Sequence, residues 1–169
     1  RKIVDVLLAT TAAPTYLPPH RTLTGTYVDG GIGANNPSLL ALVEAISYRC
    51  QWAQDEIYLL SLGCLESISF STTGREKMAI NDIQKLISIF MNAESQYSHN
   101  ITQILLPTGH YLRINPIDRA NLTGLDKSTP EALGYLQAMA AQAVQEHFDE
   151  LKNIFFSSFA EPFHPYHSS

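Results

Sequence analysis

The chain is poor in cysteine, in basic residues and in long apolar runs, and each shortage excludes a class of protein. It has only 2 cysteines, and Cys50 and Cys64 lack the spacing of a disulfide framework or a zinc site. The 11 lysines and arginines are scattered, and the formal net charge is −5, so we expect no nucleic-acid partner. Apolar runs such as residues 3–9 are broken by charge well short of the ~20 residues that a bilayer crossing needs.

Two further absences narrow the chemistry. The 6 histidines are far apart or lie in the C-terminal tail, without acidic neighbours at ligand spacing, so we expect no metal site and no cofactor. The pattern Gly-x-Ser-x-Gly, which marks a nucleophilic serine on a strained turn, occurs nowhere in the sequence. These residues therefore do not encode a serine nucleophile of that kind.

Length and composition are those of a single folded domain or a large piece of one. The chain has 169 residues, of which 45% are hydrophobic, and neither a repeat nor a linker divides it. No signal peptide is visible, so we expect a soluble protein and leave its compartment, cytoplasmic or secreted, open. Because the chain begins with Arg1-Lys2-Ile3 and has no initiator methionine, we expect that an upstream segment was removed or omitted.

Hydrophobic periodicity predicts an α/β chain. Helices are predicted from Pro37 to about Cys50, from Ile80 to about Leu105, and from Pro130 to about Leu151. A helix is also favoured over 3–9, although the same stretch could be a buried strand. Strands are predicted over Leu23–Val28, Ile57–Leu62 and Tyr111–Ile114, with a loop over 64–77. The first two strands and the helix between them suggest a crossover unit, and the second strand has the pattern of one that is buried on both faces. The last helix should be capped by Ser128 or Thr129 and should bury a stripe of leucine, alanine, valine and phenylalanine side chains from Leu133 to Leu151.

Asp29 is the acidic residue with the strongest functional signal. It ends the strand-like stretch, is followed by Gly30, Gly31 and Gly33, and precedes a helix that Asn36 can cap. An acid at such a break can face a cleft, where a carboxylate bonded to a serine hydroxyl acts as a general base. Asp-Gly is also a common turn former, so the alternative is an acid that only satisfies its own backbone.

The other acidic candidates have weaker support. Asp5, Asp82, Asp118 and Asp126 each lie in a helical pattern or a polar turn, where an acid is usually solvated or caps a helix. None of the four combines strand, glycine and helix signals as Asp29 does. If Asp29 acts in catalysis, it needs a hydroxyl from elsewhere.

Four segments of the sequence resemble the C-terminal part of a patatin-like phospholipase, a family of lipid acyl hydrolases that use a Ser-Asp dyad. They are the Ala-Thr-Thr-Ala-Ala-Pro-Thr-Tyr-Leu-Pro-Pro run at 9–19, Val-Asp-Gly-Gly at 28–31 with Asn-Pro at 36–37, Leu-Leu-Ser-Leu-Gly at 59–63, and Tyr-Leu-Arg at 111–113. They stand in the order that the family shows. Together they span residues 3 to about 150.

The resemblance implies a fold and a division of the active site. It implies a three-layer α/β/α fold of which this chain is the second half only: residues 1–169 would be the C-terminal part of a single catalytic domain, with a loosely packed tail at 159–169. Asp29 matches the dyad aspartate, and Gly30 and Gly31 fit the turn that presents it. The family's nucleophilic serine and oxyanion loop lie N-terminal to the segments matched here, so we expect them in an N-terminal half outside this chain.

The function implied by the resemblance is that of a serine-type carboxylic ester hydrolase of the phospholipase A type. Its substrate would be a phospholipid or another acyl lipid, met through peripheral contact with a membrane. This chain alone should be inactive, because a base without a nucleophile and oxyanion donors cannot complete acyl transfer. The alternative is a non-catalytic interaction module that retains the fold and in which Asp29 only stabilises its loop.

Overall fold

The computed structural model describes residues 2–47, 51–67, 83–120, 122–124 and 127–159. Its helices are α1 (Ile3–Thr10), α2 (Gly31–Ala34), α3 (Ser38–Ile46), α4 (Ile83–Leu105), α5 (Pro130–Glu146) and α6 (Phe148–Glu150). Its strands are β1 (His20–Thr22), β2 (Gly25–Tyr27), β3 (Leu59–Leu62), β4 (Glu66–Ser67), β5 (Tyr111–Ile114) and β6 (Ile117–Asp118). A 3-10 turn spans Gln54–Glu56, and a π-helical turn, Leu151–Phe155, follows α6.

The first predicted strand is a hairpin in the structure. β1 and β2 pair antiparallel with His20 opposite Tyr27, so Leu23 and Thr24 form a turn where Leu23–Val28 was predicted as one strand. The hydroxyl of Thr22 explains the turn, because it accepts a hydrogen bond from the Thr24 amide at 3.2 Å and donates to the Gly25 carbonyl at 3.3 Å. The threonines that favour a strand by propensity here form a local turn.

The crossover unit is formed by other elements than those predicted. β3 and β5 pair in parallel with Leu59 opposite Tyr111, and α4 lies between them in the chain, as a parallel connection requires. β2 pairs with β1, so the predicted unit from the first strand through α3 to β3 is wrong among the described strands. The predictions of a helix up to Leu105 and of a strand at Tyr111–Ile114 are confirmed.

A second parallel pair extends the first. β4 pairs with β6 through Glu66 opposite Ile117, so residues 66–67 are a strand where a loop was predicted; residues 68–77 of that predicted loop lie outside the described residues. Gly63 connects the two pairs. A Cβ atom on Gly63 would lie 2.0 Å from Asn115 Oδ1 and 2.9 Å from Asn115 Cβ, so the Leu-Leu-Ser-Leu-Gly run needs glycine at its end for steric reasons.

The core lies where α3, β3 and the end of α4 meet. Leu42, Ile57 and Leu106 are buried there, and Leu59 and Tyr111 pack against them. Burial of β3 on both faces is a wrong prediction for the described residues, because Leu62 is 69% exposed while its neighbour Ser61 is buried. The buried face of β3 thus ends in a polar side chain.

The last long helix begins as predicted, but its buried residues differ. Thr129 is the N-cap, since its side chain accepts the Ala132 amide, and Pro130 follows in the first turn. The predicted buried stripe is wrong: Leu133, Val144 and Phe148 are about half exposed, and the buried residues of α5 are alanines. Of the predicted loose tail at 159–169, only Phe159 is described, and it is fully exposed.

The α/β fold class with parallel pairing is confirmed. α1 confirms the predicted first helix, yet Ile3, Val4 and Leu7 are each more than half exposed. Within the residues that the structure describes, no helix is both long enough and apolar enough to cross a lipid bilayer.

Candidate functional site

Asp29 lies in the short connection between β2 and α2, and its side chain is half-buried. One carboxylate oxygen, Oδ1, accepts a hydrogen bond from the Gly31 amide at 2.7 Å. This contact is the local Asp turn that the alternative interpretation predicted. It engages one oxygen only, and no donor to the second oxygen, Oδ2, is seen among the described residues.

The backbone of Asp29 connects the first two sequence motifs. Its amide donates to the carbonyl of Ala12 at 2.9 Å. Ala12 is 3% exposed and belongs to the Ala-Thr-Thr-Ala-Ala-Pro run, so the small side chains of this run allow the chain to pass close to the Asp29 turn. Two motifs separated in sequence thus form one structural unit around the carboxylate.

A cavity of about 570 Å³ opens beside this unit. Asp29 and Gly31 line it on one side, and Tyr16, Leu17 and Ile32 contribute apolar surface. The opposite wall is formed by α4 through Ile87, Ser88 and Met91. The combination of a mostly apolar wall with one carboxylate is typical of a small-molecule pocket.

The glycines after Asp29 have helical positions: Gly30 directly precedes α2, and Gly31 and Gly33 lie within it. Gly30 has φ −66° and ψ −17°, and α2 begins at Gly31, so neither position needs glycine for its backbone angles. Gly31 needs it for space. A Cβ atom there would lie 3.1 Å from Asp29 Oδ1 and 3.1 Å from Met91 Cε, whereas Gly30 and Gly33 face open space.

A buried polar cluster follows α2 and is centred on Asn36, which is 2% exposed. Its carbonyl oxygen Oδ1 accepts from the Ser38 amide at 3.2 Å, from the Ser38 hydroxyl at 2.5 Å and from the Ser61 hydroxyl at 3.3 Å. Its amide nitrogen Nδ2 donates to the Ser95 carbonyl at 3.1 Å. Pro37 is the N-cap of α3, one residue later than the predicted cap at Asn36. The Asn36 side chain nevertheless accepts the first amide of α3 and joins this helix to β3 and α4.

Arg113 on β5 completes this cluster. Its guanidinium donates to the Ser61 hydroxyl at 2.7 Å and to the Ser95 hydroxyl at 2.9 Å. The backbone amide of Asn36 donates to Glu94 Oε2 at 3.0 Å, and Glu94 Oε1 accepts from the Ser98 hydroxyl. We call Asn36, Ser38, Ser61, Ser95 and Arg113 the Asn36 cluster; every buried side-chain polar atom of the described residues has a partner.

A histidine lies next to the Asn36 cluster. His99 approaches the Tyr111 hydroxyl at 3.1 Å through Nδ1. Burial lowers the pKa of His99 below its ordinary 6.5, and the charge of Arg113 lowers it further. In the described residues, no group of three or more His, Cys, Asp or Glu side chains is arranged to hold a metal ion.

Sequence reasoning singled out Asp29 but assigned no role to the Asn36 cluster. The sequence motifs contain Ser61 and Arg113 but predict no role for either side chain. Their pairing joins residues 52 positions apart, and Asn36 meets Ser95 across 59 positions. The one available signal was a polar serine inside the otherwise apolar Leu-Leu-Ser-Leu strand, which a buried position would force to find a partner.

Comparison with known proteins finds phospholipase relatives. The family model for patatin-like phospholipases matches residues 1–42. A cGAMP-activated phospholipase of Escherichia coli is 30% identical over 96% of this chain and 52% of its own length. The calcium-independent phospholipase A2-gamma of Mus musculus is 28% identical over 90% of this chain and 19% of its own length. Patatin-like protein 2 of Arabidopsis thaliana is 45% identical over 25% of this chain and 12% of its own length.

The matches cover a larger share of this chain than of its relatives. The relatives cover most of this chain, but the chain spans about half of the Escherichia coli protein and about a fifth of the mouse protein. No solved structure gave a significant match. The resemblance predicted from the motifs is confirmed: the first 42 residues match the patatin-like phospholipase family model, and most of the chain is similar to proteins named as phospholipases.

Proposed function

We propose that this chain is the aspartate-bearing half of a lipid acyl hydrolase of the phospholipase A type. Asp29 takes the proton from a serine hydroxyl supplied by an N-terminal half, and the serine oxygen attacks the ester carbonyl of an acyl lipid. The proton then passes to the departing alcohol, which leaves an acyl-serine. Water next attacks the acyl-serine, releasing the fatty acid and restoring the serine and its proton.

The observation that carries this proposal is the position of the Asp29 carboxylate. It is half-buried at the wall of a 570 Å³ cavity, and its hydrogen bond from the Gly31 amide fixes Oδ1. A base must be held in place and still be reachable by the group whose proton it takes. An oxygen fixed by a neighbouring amide, with the second oxygen left for another donor, meets both requirements.

The cavity wall supports an acyl lipid as the substrate class. Tyr16, Leu17, Ile32, Ile87 and Met91 present apolar surface around the carboxylate, and a volume of 570 Å³ lies in the range of pockets that enclose small ligands, roughly 300–1,000 Å³. An acyl chain would be desolvated against these side chains. The relatives named above are phospholipases, which agrees with a lipid ester as substrate.

The exposed apolar face of α1 supports a partner half. Ile3 is 78% exposed, Val4 62% and Leu7 56%, and a contiguous apolar face of this kind marks an interaction surface. We propose that the N-terminal half, with the serine and the oxyanion donors, covers this face. The assembled domain would meet its substrate at a lipid surface.

One observation favours a second candidate function. The hydrogen bond from the Gly31 amide to Asp29 Oδ1 is what an acid with a purely structural role would make. In that case the chain would be a non-catalytic interaction module that retains the family's fold. Both candidates predict a stable Asp29 turn, so they differ only in activity.

The test is Asp29→Asn in the full-length protein that contains this chain. Asparagine retains an oxygen that can accept the Gly31 amide but cannot take a proton, so the fold should persist while lipid ester hydrolysis falls by about 10²–10⁴-fold. Asp55→Asn, at an exposed position, is the matched control and should retain full activity. Undiminished hydrolysis by the Asp29→Asn protein would refute the role of Asp29 as the base, whereas absence of hydrolysis in the wild-type protein would favour the interaction module.

A further inference from the structure

The Asn36 cluster is unusual because its charged member, Arg113, forms no ion pair with an acidic side chain among the described residues. Both ion pairs found between described side chains involve histidine, His20 with Asp5 and His147 with Glu150. Arg113 is half-buried and donates to two serine hydroxyls instead. A half-buried cation is costly to retain when its partners are neutral, so its presence calls for a reason beyond stability.

Arg113 sets the direction of the hydrogen bonds in the cluster. A guanidinium only donates, so the oxygen of Ser61 and the oxygen of Ser95 must accept from it. The Ser61 hydroxyl can then donate to Asn36 Oδ1, and the Ser38 hydroxyl lies within donor distance of both Asn36 Oδ1 and the Ser61 oxygen. With donors on its oxygen side, the Asn36 amide must place Nδ2 toward the Ser95 carbonyl. Through Ser61 and Ser95, the cation therefore reinforces the orientation of the Asn36 side chain that the Ser38 amide and the Ser95 carbonyl also favour.

Asn36 in turn fixes the segment that carries Asp29. Its backbone amide donates to Glu94 on α4, and the Asn35 side chain reaches the Met91 carbonyl at 3.4 Å. These contacts hold the end of α2 against α4. The start of α2 is Gly31, whose amide donates to the Asp29 carboxylate and whose α-carbon faces Met91. One short helix thus links the cluster at one end to the carboxylate at the other.

We propose that Arg113 is a positioning residue for Asp29, acting through Ser61, Ser95 and Asn36 to hold α2 against α4. The inference rests on the proposed function of Asp29. It assigns a role to a side chain on β5 that lies outside the cavity lining. Arg113 does not touch the reacting atoms and contributes only by fixing the geometry of the base.

The first test uses amide hydrogen exchange, which does not depend on activity. In Arg113→Met the amides of Gly31 and Asn36 should exchange about tenfold faster, because the contacts that hold α2 are weakened. The α5 amide of Leu133, bonded to the Thr129 carbonyl, should be unchanged. Arg113→Lys, which can replace one of the two donated bonds, should fall between wild type and Arg113→Met. Arg119→Met, at an exposed position, is the control and should exchange as wild type.

The second test asks whether the effect passes through Asp29. In the full-length protein, Arg113→Met should lower kcat about tenfold while KM stays within about twofold, as a small misplacement of a base would. In an Asp29→Asn background the same substitution should have no further effect on kcat, since coupled residues are not additive.

Two results would overturn the positioning role. One is unchanged exchange at Gly31, or an equal rise at Leu133, which would indicate no effect or general destabilisation. The other is an equal loss of kcat with and without the Asp29 carboxylate. If Asp29→Asn alone left hydrolysis intact, the proposed function would fail, and the exchange at Gly31 would still decide whether Arg113 positions this segment.

Discussion

Asp29 and Asn36 belong to one turn-and-helix segment, yet they lie in opposite environments. The Asp29 carboxylate borders an open cavity and accepts a single hydrogen bond from the described residues, from Gly31. The Asn36 side chain is 2% exposed and takes part in hydrogen bonds at both its oxygen and its nitrogen. The group that could react is accessible, and the group that supports it is enclosed.

The difference shows how a short segment can hold a reactive group still. α2 is only one turn long, from Gly31 to Ala34, and an isolated turn of helix is not stable in water. Its order must come from contacts at its ends. The buried end, at Asn36, supplies these contacts, because buried polar groups tolerate few arrangements other than the one in which all of them are hydrogen-bonded. The open end, at Asp29, is therefore left free for chemistry.

The largest effect is expected at the enclosed end. Asn36→Ala would leave the buried Ser38 amide without its acceptor and remove the bond to the Ser95 carbonyl, and each unsatisfied buried group costs about 1–3 kcal/mol. Urea unfolding should show this loss. Asn35→Ala is the matched control: its side chain is exposed and makes one long bond, so it should cost less than about 0.5 kcal/mol. Equal losses in the two variants would remove the contrast between the ends.

A smaller effect is expected at the open end. Gly31→Ala would place a methyl group 3.1 Å from Asp29 Oδ1, and the carboxylate must shift by a few tenths of an ångström. Because a 1 Å misplacement can cost about 10²-fold, we expect a loss of up to about tenfold in kcat with little change in stability. Gly33→Ala, which faces open space, should leave kcat unchanged and add up to about 1 kcal/mol of stability. Similar kcat values for the two variants would contradict the crowding argument.

The smallest effect is expected in the pH dependence of stability and concerns His99, next to the enclosed end. His99 has a folded pKa below 6.5, so the unfolded chain binds its proton more readily. The stability that this group contributes is complete above pH 6.5 and is lost as the pH falls from there through the folded pKa. Urea midpoints measured from pH 7.5 down to pH 5 should therefore decline less in His99→Asn than in wild type. The same slope in both proteins would show that burial of His99 does not contribute.

Much of the fold follows from local sequence signals. Apolar periodicity predicted α1, α4 and the strands β3 and β5, although not the parallel pairing of these two strands, because helices and strands repeat their apolar residues at different spacings. The cap at Thr129 followed from its position before Pro130. The hairpin turn at Leu23 and Thr24 was missed because the Thr22 hydroxyl forms local bonds that strand propensity does not count.

The candidate site divides in the same way. Asp29 was predicted because its strand, glycine and helix signals are adjacent in the sequence. The Asn36 cluster was not, because its members come from α3, β3, α4 and β5 and meet only after the chain folds. In α5, the spacing of Leu133 and Val144 correctly predicted a helix. It did not predict their burial, because spacing does not say what covers an apolar face, and both side chains are about half exposed.

Activation by Asp29 of a serine outside this chain can be tested without a lipid substrate. A fluorophosphonate probe bonds to serine oxygens in proportion to their nucleophilicity, so its labelling rate in the full-length protein reports the proton transfer itself. Asp29→Asn should slow labelling by about 10²-fold or more while the fold, judged by its urea midpoint, stays as in wild type. Labelling at the wild-type rate in that variant would contradict the claim and leave Asp29 with only its turn.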